Sequence, residues 1–169
     1  IRRLRRQKDA DEIAAIEQSL RCAEAGLTAA RQQARPGMTE LDLFLIVQRA
    51  ATELAGETVQ IYGDFVCGAK TMQGGGIPGR QAIQKGDLVL LDFSVLHSGY
   101  RGDFCSTFLC EGKPTARQRE LESACLDALD TAEKLLIPRV AARAVDQAVR
   151  ERFQERSLLH LFPHHTRHG

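Results

Sequence analysis

Four stretches of the chain repeat their hydrophobic residues at helical spacing. Three of them begin at a capping signal: Asp9 with Glu12, Thr39 with Asp42, and Thr115 with Gln118. The pattern predicts helices over about 10–34, 39–55, 115–136 and 141–155. The residues expected to face inward are Ile13, Ile16, Leu20, Ala23 and Leu27 in the first helix, and Leu41, Phe44, Leu45, Val47 and Leu54 in the second.

Apolar runs between the second and third helices are typical of strands. Residues 58–67 predict one strand, and residues 88–93 and 99–108 predict an antiparallel pair. The loop from Gly68 to Gly79 contains three consecutive glycines, which allow positive φ or a close approach of the backbone to a ligand. It is not a phosphate-binding P-loop, because Lys85 lies too far along the chain and is not followed by Ser or Thr.

The order of elements predicts an α+β fold. Two helices, a set of strands, two helices and a further strand-like run from Leu159 to Pro163 follow one another. This order favours an antiparallel sheet covered by helices on one face. No linker divides the chain, so we expect residues 1–169 to form a single partial domain. The order starts again at Thr115, which suggests a duplicated unit whose second half is incomplete.

The predicted hairpin carries two aspartates eleven residues apart, Asp92 and Asp103. A turn centred between His97 and Ser98 would make them direct cross-strand partners, with Cβ atoms roughly 4.5–5.5 Å apart. Two carboxylates that close repel each other unless a cation lies between them, and a divalent metal is the usual cation. A hairpin can also carry two aspartates on its solvent face, and the hairpin alone leaves both interpretations open.

The last residues of the sequence favour the metal. Three of the five histidines, His164, His165 and His168, lie within five residues. Imidazole is a common ligand for Zn, Mn, Co and Fe. The apolar run from Leu159 to Pro163 is typical of a buried strand leading into these histidines, so we do not interpret them as an artificial tag.

The composition excludes some classes of partner and indicates the cellular compartment. The 169 residues are 43% hydrophobic and carry a net charge of +1, so no strong field favours nucleic acid. No run approaches the 18 apolar residues of a membrane span, and we expect no membrane partner. Five cysteines at irregular spacing, with no C-x-x-C, indicate a reducing compartment without a disulfide framework. We therefore expect a cytoplasmic protein.

Five segments resemble the catalytic domain of the pita-bread metallopeptidases. That family includes Xaa-Pro aminopeptidases and dipeptidases, methionine aminopeptidases and creatinase. The segments, which extend over nearly the whole chain, are Arg5 to Glu12, Arg35 to Glu40, Gly86 to Asp92, Gly99 to Thr107 and Phe162 to Gly169. The pair GDLVLLD and GYRGDF is the most specific of them.

The resemblance implies a site with two divalent ions, which could be Mn, Co, Zn or Fe. In the family, two aspartates, one histidine and two glutamates hold these ions. The aspartates match Asp92 and Asp103, and the histidine matches His168. A second histidine, which assists the substrate and the tetrahedral intermediate, matches His164. The implied reaction is attack by a metal-bridging hydroxide on a peptide carbonyl, and the implied partner is a peptide substrate.

The sequence departs from the family pattern at several positions. The two glutamate ligands are expected beyond position 169, and the substrate-binding residues stay unassigned. Gly75 lies near the position where many members carry a substrate-facing His, which favours the Xaa-Pro branch over methionine aminopeptidases. Arg139 and Arg167 stand where relatives usually have Gly, and we expect Arg to avoid the left-handed conformations that Gly adopts freely. Arg167 is also adjacent to His168, where a cation opposes metal binding.

Three functions are compatible with these residues. The first is a metal-dependent aminopeptidase or dipeptidase that removes an N-terminal residue ahead of proline. The second is a metal-free pita-bread binding module, and the third is a creatinase-like C–N hydrolase. The two glutamates distinguish the first from the second. Retention of Asp92, Asp103, His164 and His168 favours the enzyme. The oligomeric state is not set by the sequence, and a homodimer stays open.

Overall fold

The computed structural model describes residues 7–162, and their contacts form two compact units divided between Lys113 and Pro114. The first unit contains α1 (Ala10–Gln33), α2 (Glu40–Ala55), β1 (Gln60–Cys67), a 3-10 helix (Gly68–Gln73), β2 (Leu88–His97) and β3 (Tyr100–Leu109). The second unit contains α3 (Ala116–Leu135), α4 (Ala142–Glu155) and a 3-10 helix (Leu159–Leu161). The four predicted helices and the three strands predicted between the second and third helices are present. The single domain stays a prediction.

Three of the helices begin at the residues that the sequence predicts, and reciprocal hydrogen bonds cap their first turns. Capping boxes are formed by Asp9 with Glu12, by Thr39 with Asp42, and by Thr115 with Gln118. At α2 the Asp42 carboxylate accepts a 2.7 Å hydrogen bond from the Thr39 backbone N–H, and this bond lowers the pKa of Asp42. These caps satisfy amide groups that the first turn of a helix leaves without partners.

The inward faces predicted for α1 and α2 are confirmed in part, because Ala23, Leu27 and Val47 are buried as predicted. The rest of each face differs. Ile13 and Leu20 of α1, and Leu41, Leu45 and Leu54 of α2, are exposed. Small residues take their place. An added Cβ at Gly26 of α1 would lie 2.7 Å from Val47 Cγ1 of α2, so the two helices pack closely there. The residues that α1 and α2 bury include Ser19, Cys22, Ala23, Gly26, Leu27 and Ala30 from α1 and Leu43, Val47 and Ala51 from α2.

One face of the sheet forms the core of the first unit. The strand order is β1-β2-β3, with both neighbouring pairs antiparallel. Phe65 stacks on Phe93 with ring centroids 5.4 Å apart, and Phe44 of α2 contacts Phe65 edge-on. Leu91 and Val95 of β2 are fully buried in the same cluster as the buried residues of α1 and α2. The helices therefore cover one face of an antiparallel sheet, as predicted.

The second unit is a helix pair with its own apolar core. Ala124, Ala128 and Ala132 of α3 are buried in one cluster with Val145, Val149 and Phe153 of α4. The strand-like run that was predicted from Leu159 is wrong in its described part, because Leu159–Leu161 form a 3-10 helix. Phe162 follows it and stacks on Phe153 with ring centroids 5.0 Å apart. This aromatic contact holds the chain against α4.

None of the five cysteines forms a disulfide, and all five lie in the described part of the chain. Within residues 7–162, no helix combines the length and the apolar character needed to cross a membrane.

Arg139 occupies the left-handed region with φ +74, so the expectation that Arg avoids this conformation is wrong here. The residue lies in the short connection between α3 and α4. The Val140 N–H donates to the Ile137 carbonyl at 3.3 Å across it. A Cβ in the left-handed region costs roughly 1–2 kcal/mol, because it approaches the following carbonyl oxygen.

Replacing Arg139 with Gly is therefore expected to stabilise the protein. Arg139→Gly removes the strain but loosens the unfolded chain, so we expect a net gain of about 0.5–1 kcal/mol in the free energy of unfolding. Arg139→Ala is the matched control, because it also removes the cation but keeps the Cβ, and it should give no such gain. Urea unfolding followed by circular dichroism measures both. An equal gain in the two variants would attribute the effect to the side chain.

Helix α1 lies directly on β3 at Gly102. An added Cβ at Gly102 would lie 2.5 Å from the Leu20 nitrogen and 2.7 Å from the Ser19 carbonyl carbon. The Ser19 hydroxyl can donate to the Val95 carbonyl at 2.6 Å or to the Tyr100 carbonyl at 3.0 Å. Backbone therefore meets backbone at this point, with no side chain between them.

A methyl group at Gly102 should force the helix away from the sheet. We expect Gly102→Ala to lower the free energy of unfolding by about 1–3 kcal/mol, as overpacking does in a tight core. Thr107→Ser, on the exposed face of the same strand, should change it by no more than about 0.5 kcal/mol. Thermal unfolding of the two variants tests this difference. Equal stability of Gly102→Ala and the wild type would show that the contact can relax without cost.

Candidate metal site

The hairpin between β2 and β3 turns on Ser98 and Gly99. Both have positive φ, +50 and +78, as the central residues of a type I′ turn do. His97 and Tyr100 are the closing pair. The predicted turn was therefore centred one residue too early, and this moves the partner of Asp92 from residue 103 to residue 105. Asp92 pairs with Cys105, and Asp103 pairs with Ser94, so the predicted direct opposition of the two aspartates is wrong.

Asp92 and Asp103 nevertheless share one face of the sheet. The register differs from the predicted one by two residues, which is the side-chain period of a strand. The two aspartates are diagonal neighbours, and such neighbours lie roughly 7–8 Å apart. Both are exposed. They lie on the face opposite the buried Leu91 and Phe93, so packing on the core side fixes where they project.

A third carboxylate, Asp64 of β1, lies on the same face directly opposite Asp92. Sequence reasoning missed it, because its role depends on the β1–β2 register and no motif marks it. Gly75 lies against it: an added Cβ at Gly75 would be 2.2 Å from Asp64 Oδ2. Asp64, Asp92 and Asp103 are called the carboxylate face below.

Buried Glu40 fixes both ends of the glycine-rich loop beside Asp64. Its carboxylate accepts hydrogen bonds from the Cys67 N–H before the loop and from the Gly79 N–H at its end, each at 3.1 Å. It also pairs with Lys70 at 2.7 Å. Glu40 is 1% exposed, so these partners offset the cost of burying a charge. Burial, followed by the neighbouring Glu40 charge, raises the pKa of the Cys67 thiol to about 11.

The donor chemistry of the carboxylate face fits a divalent cation. Three carboxylates on neighbouring strands repel each other, and oxygen donors suit Mg, Ca and Mn. Among residues 7–162, no three His, Cys, Asp or Glu side chains already converge as a metal cluster. His164, His165, His168 and Arg167 lie outside the described residues. The structure therefore brings Asp92 and Asp103 to one face, and the predicted imidazole ligand stays a prediction.

The model of metallopeptidase family M24 matches residues 14–169. The chain belongs to this family. M24 members use divalent metals, which agrees with the carboxylate donors described above. The resemblance to pita-bread metallopeptidases stated from the motifs is thereby confirmed.

Individual M24 relatives agree with this assignment. The chain is 27% identical to the Xaa-Pro dipeptidase of Pyrococcus furiosus over 100% of its own length and 48% of the relative's. It is 30% identical to the Xaa-Pro aminopeptidase of Escherichia coli, over 82% of the chain and 31% of that protein. The solved structure of the P. furiosus prolidase matches with a TM-score of 0.89 at 26% identity, covering 96% of the chain and 48% of the prolidase.

The chain therefore has the α+β pita-bread fold and spans about half the length of the prolidase it matches. Its antiparallel sheet and covering helices are the part of that fold described here.

Removing one carboxylate should weaken metal binding. In calorimetric titrations of the full-length protein with Mn²⁺, we expect Asp103→Ala to lower the affinity at least about 100-fold. Mutation of a residue that only hydrogen-bonds to a metal ligand already lowers metal affinity about 10–100-fold. Asp130→Ala, which removes an exposed aspartate of α3, is the control and should bind like the wild type. Equal affinity in the Asp103 variant would mean that these carboxylates are ordinary surface acids.

Proposed function

We propose that the full-length protein is a metal-dependent aminopeptidase or dipeptidase that removes an N-terminal residue ahead of proline. One observation carries this proposal: Asp92 and Asp103 share an exposed sheet face in a chain that belongs to a metallopeptidase family. The Xaa-Pro dipeptidase and aminopeptidase among its relatives support the choice of substrate. Because the chain spans about half their length, the activity of the whole protein is a proposal.

The proposed residues have distinct roles. Asp92, Asp103 and His168 would hold divalent metal, with two ions in the complete site and Mn, Co, Zn or Fe as candidates. When bound, such a metal supplies a Lewis acid and lowers the pKa of water towards about 7. His164 would donate a hydrogen bond to the scissile carbonyl oxygen and stabilise the negative charge that develops there.

The partner is a peptide, with no nucleic acid or membrane involved. The proposed location is the cytoplasm, and a homodimer is the oligomeric state to test.

The described residues support precise placement of the two aspartates. Asp92 lies on the central strand between fully buried Leu91 and Phe93, so its backbone cannot shift without disturbing the core. Asp103 follows Gly102, which lies against α1. Binding sites on rigid elements hold their ligand groups more accurately than sites on loops do. This rigidity suits an ion that requires fixed oxygen positions.

Hydrolysis of Xaa-Pro peptides tests the proposal. We expect the full-length protein with Mn²⁺ to release the N-terminal residue from an Xaa-Pro peptide, and Asp103→Ala to abolish the release. His164→Ala should lower kcat about 10²–10³-fold, as loss of one donor to a developing oxyanion does. Asp130→Ala should retain the wild-type rate. Residues 1–169 alone should show no useful turnover, because a metal site needs its full ligand set.

Two outcomes would contradict this reading. Robust turnover by residues 1–169 would show that the expected glutamates are not required. No turnover by the full-length protein, despite Mn²⁺ binding, would favour a different hydrolysis on the same scaffold.

Arg167→Gly is a useful companion variant, because removing the cation beside His168 should strengthen metal binding.

A further inference from the structure

We propose that Cys105 lines the metal site, so that a divalent cation at Asp92 and Asp103 and a covalent adduct on the Cys105 sulfur exclude each other. This inference rests on the proposed metal site and adds to it a site of thiol modification. It assigns to this chain a sensitivity to small electrophiles that depends on metal occupancy.

The register places Cys105 next to two members of the carboxylate face, Asp92 and Asp103. Cys105 is the direct cross-strand partner of Asp92, and directly opposed residues have Cβ atoms roughly 4.5–5.5 Å apart. Cys105 also follows Asp103 by two residues on β3, so both side chains project from the same face, roughly 7 Å apart along the strand. The row across the three strands is Asp64, Asp92 and Cys105.

Cys105 differs from the other cysteines of the first unit. Cys22, Cys67 and Cys110 are at most 2% exposed, and burial raises the pKa of each of these thiols. Small electrophiles therefore reach them slowly in the folded protein. Cys105 is exposed. Cys125, the other exposed cysteine, lies on α3 in the second unit and serves as an internal control.

Iodoacetamide is a suitable probe of this exclusion. The sulfur attacks the methylene carbon, iodide leaves, and the thiol proton passes to solvent. The adduct adds a side chain about as large as an asparagine next to Asp92, where a hydrated cation would have to sit. The adduct should therefore weaken metal binding, and a bound cation should shield the sulfur from attack and so slow the alkylation.

The rate of alkylation at each cysteine, measured by mass spectrometry of peptides from the full-length protein, tests the proposal. We expect saturating Mn²⁺ to slow alkylation of Cys105 at least fivefold and to leave the rate at Cys125 unchanged. In Asp103→Ala, the same Mn²⁺ concentration should no longer protect Cys105. The reciprocal measurement is calorimetric. Alkylation should weaken Mn²⁺ binding by the wild type at least fivefold, whereas Cys105→Ser should bind Mn²⁺ equally before and after treatment.

The results separate this proposal from the proposed function. If Mn²⁺ binds and peptides are hydrolysed, but Cys105 reacts equally fast with and without the metal, the role of Cys105 is wrong and the peptidase proposal stands. If Mn²⁺ slows alkylation of Cys105 and Cys125 to the same extent, the proposed role of Cys105 is also wrong. The metal would then protect both thiols by stabilising the folded protein as a whole. If no Mn²⁺ binds at all, both proposals fail.

Discussion

The contact between α1 and the β2–β3 hairpin is the constraint on which the first unit depends. Gly102 brings the backbone of β3 within reach of the backbone at Ser19 and Leu20. The Ser19 hydroxyl bonds to the hairpin at Val95 or Tyr100, and the Tyr100 hydroxyl donates to Glu12 at 2.8 Å. Since one face of the hairpin lies against a helix, the opposite face is the one left for polar groups. The placement of Asp92 and Asp103 follows from this choice.

Repulsion on the carboxylate face is a cost that the rest of the unit must offset. Two charges about 7 Å apart repel by roughly 0.6 kcal/mol in water and by about 2.4 kcal/mol at an effective dielectric constant of 20. The buried cluster on the other face, which includes Phe65, Leu91 and Phe93, contributes more than this, at about 1.5–3 kcal/mol for each buried side chain. The face can therefore keep its carboxylates close together without a cation, and a cation that binds there relieves the repulsion.

Local signals in the sequence were sufficient for the elements but not for their contacts. Three capping boxes and the apolar run of β2 predict helices and strands at about their observed positions. On α1, Ala23 and Leu27 are buried as predicted, whereas the larger Ile13 and Leu20 are exposed. The helix also packs through Ser19, Gly26 and Ala30, because close helix packing requires small residues. The hairpin register depends on two residues with positive φ, Ser98 and Gly99. Serine rarely adopts positive φ, so the sequence does not mark Ser98 as a central residue of the turn.

The prediction of a shared aspartate face survived the wrong register for a definite reason. A slip of one residue exchanges the two faces of a strand, but a slip of two restores them. Moving the turn centre by one residue changes the pairing by two, so Asp92 and Asp103 stay together while their direct partners change. The new hairpin partners are Cys105 for Asp92 and Ser94 for Asp103. On the other side of β2, the separate β1–β2 register places Asp64 opposite Asp92. Spacing along the chain could identify the two matched aspartates, but only the three-stranded register could show what surrounds them.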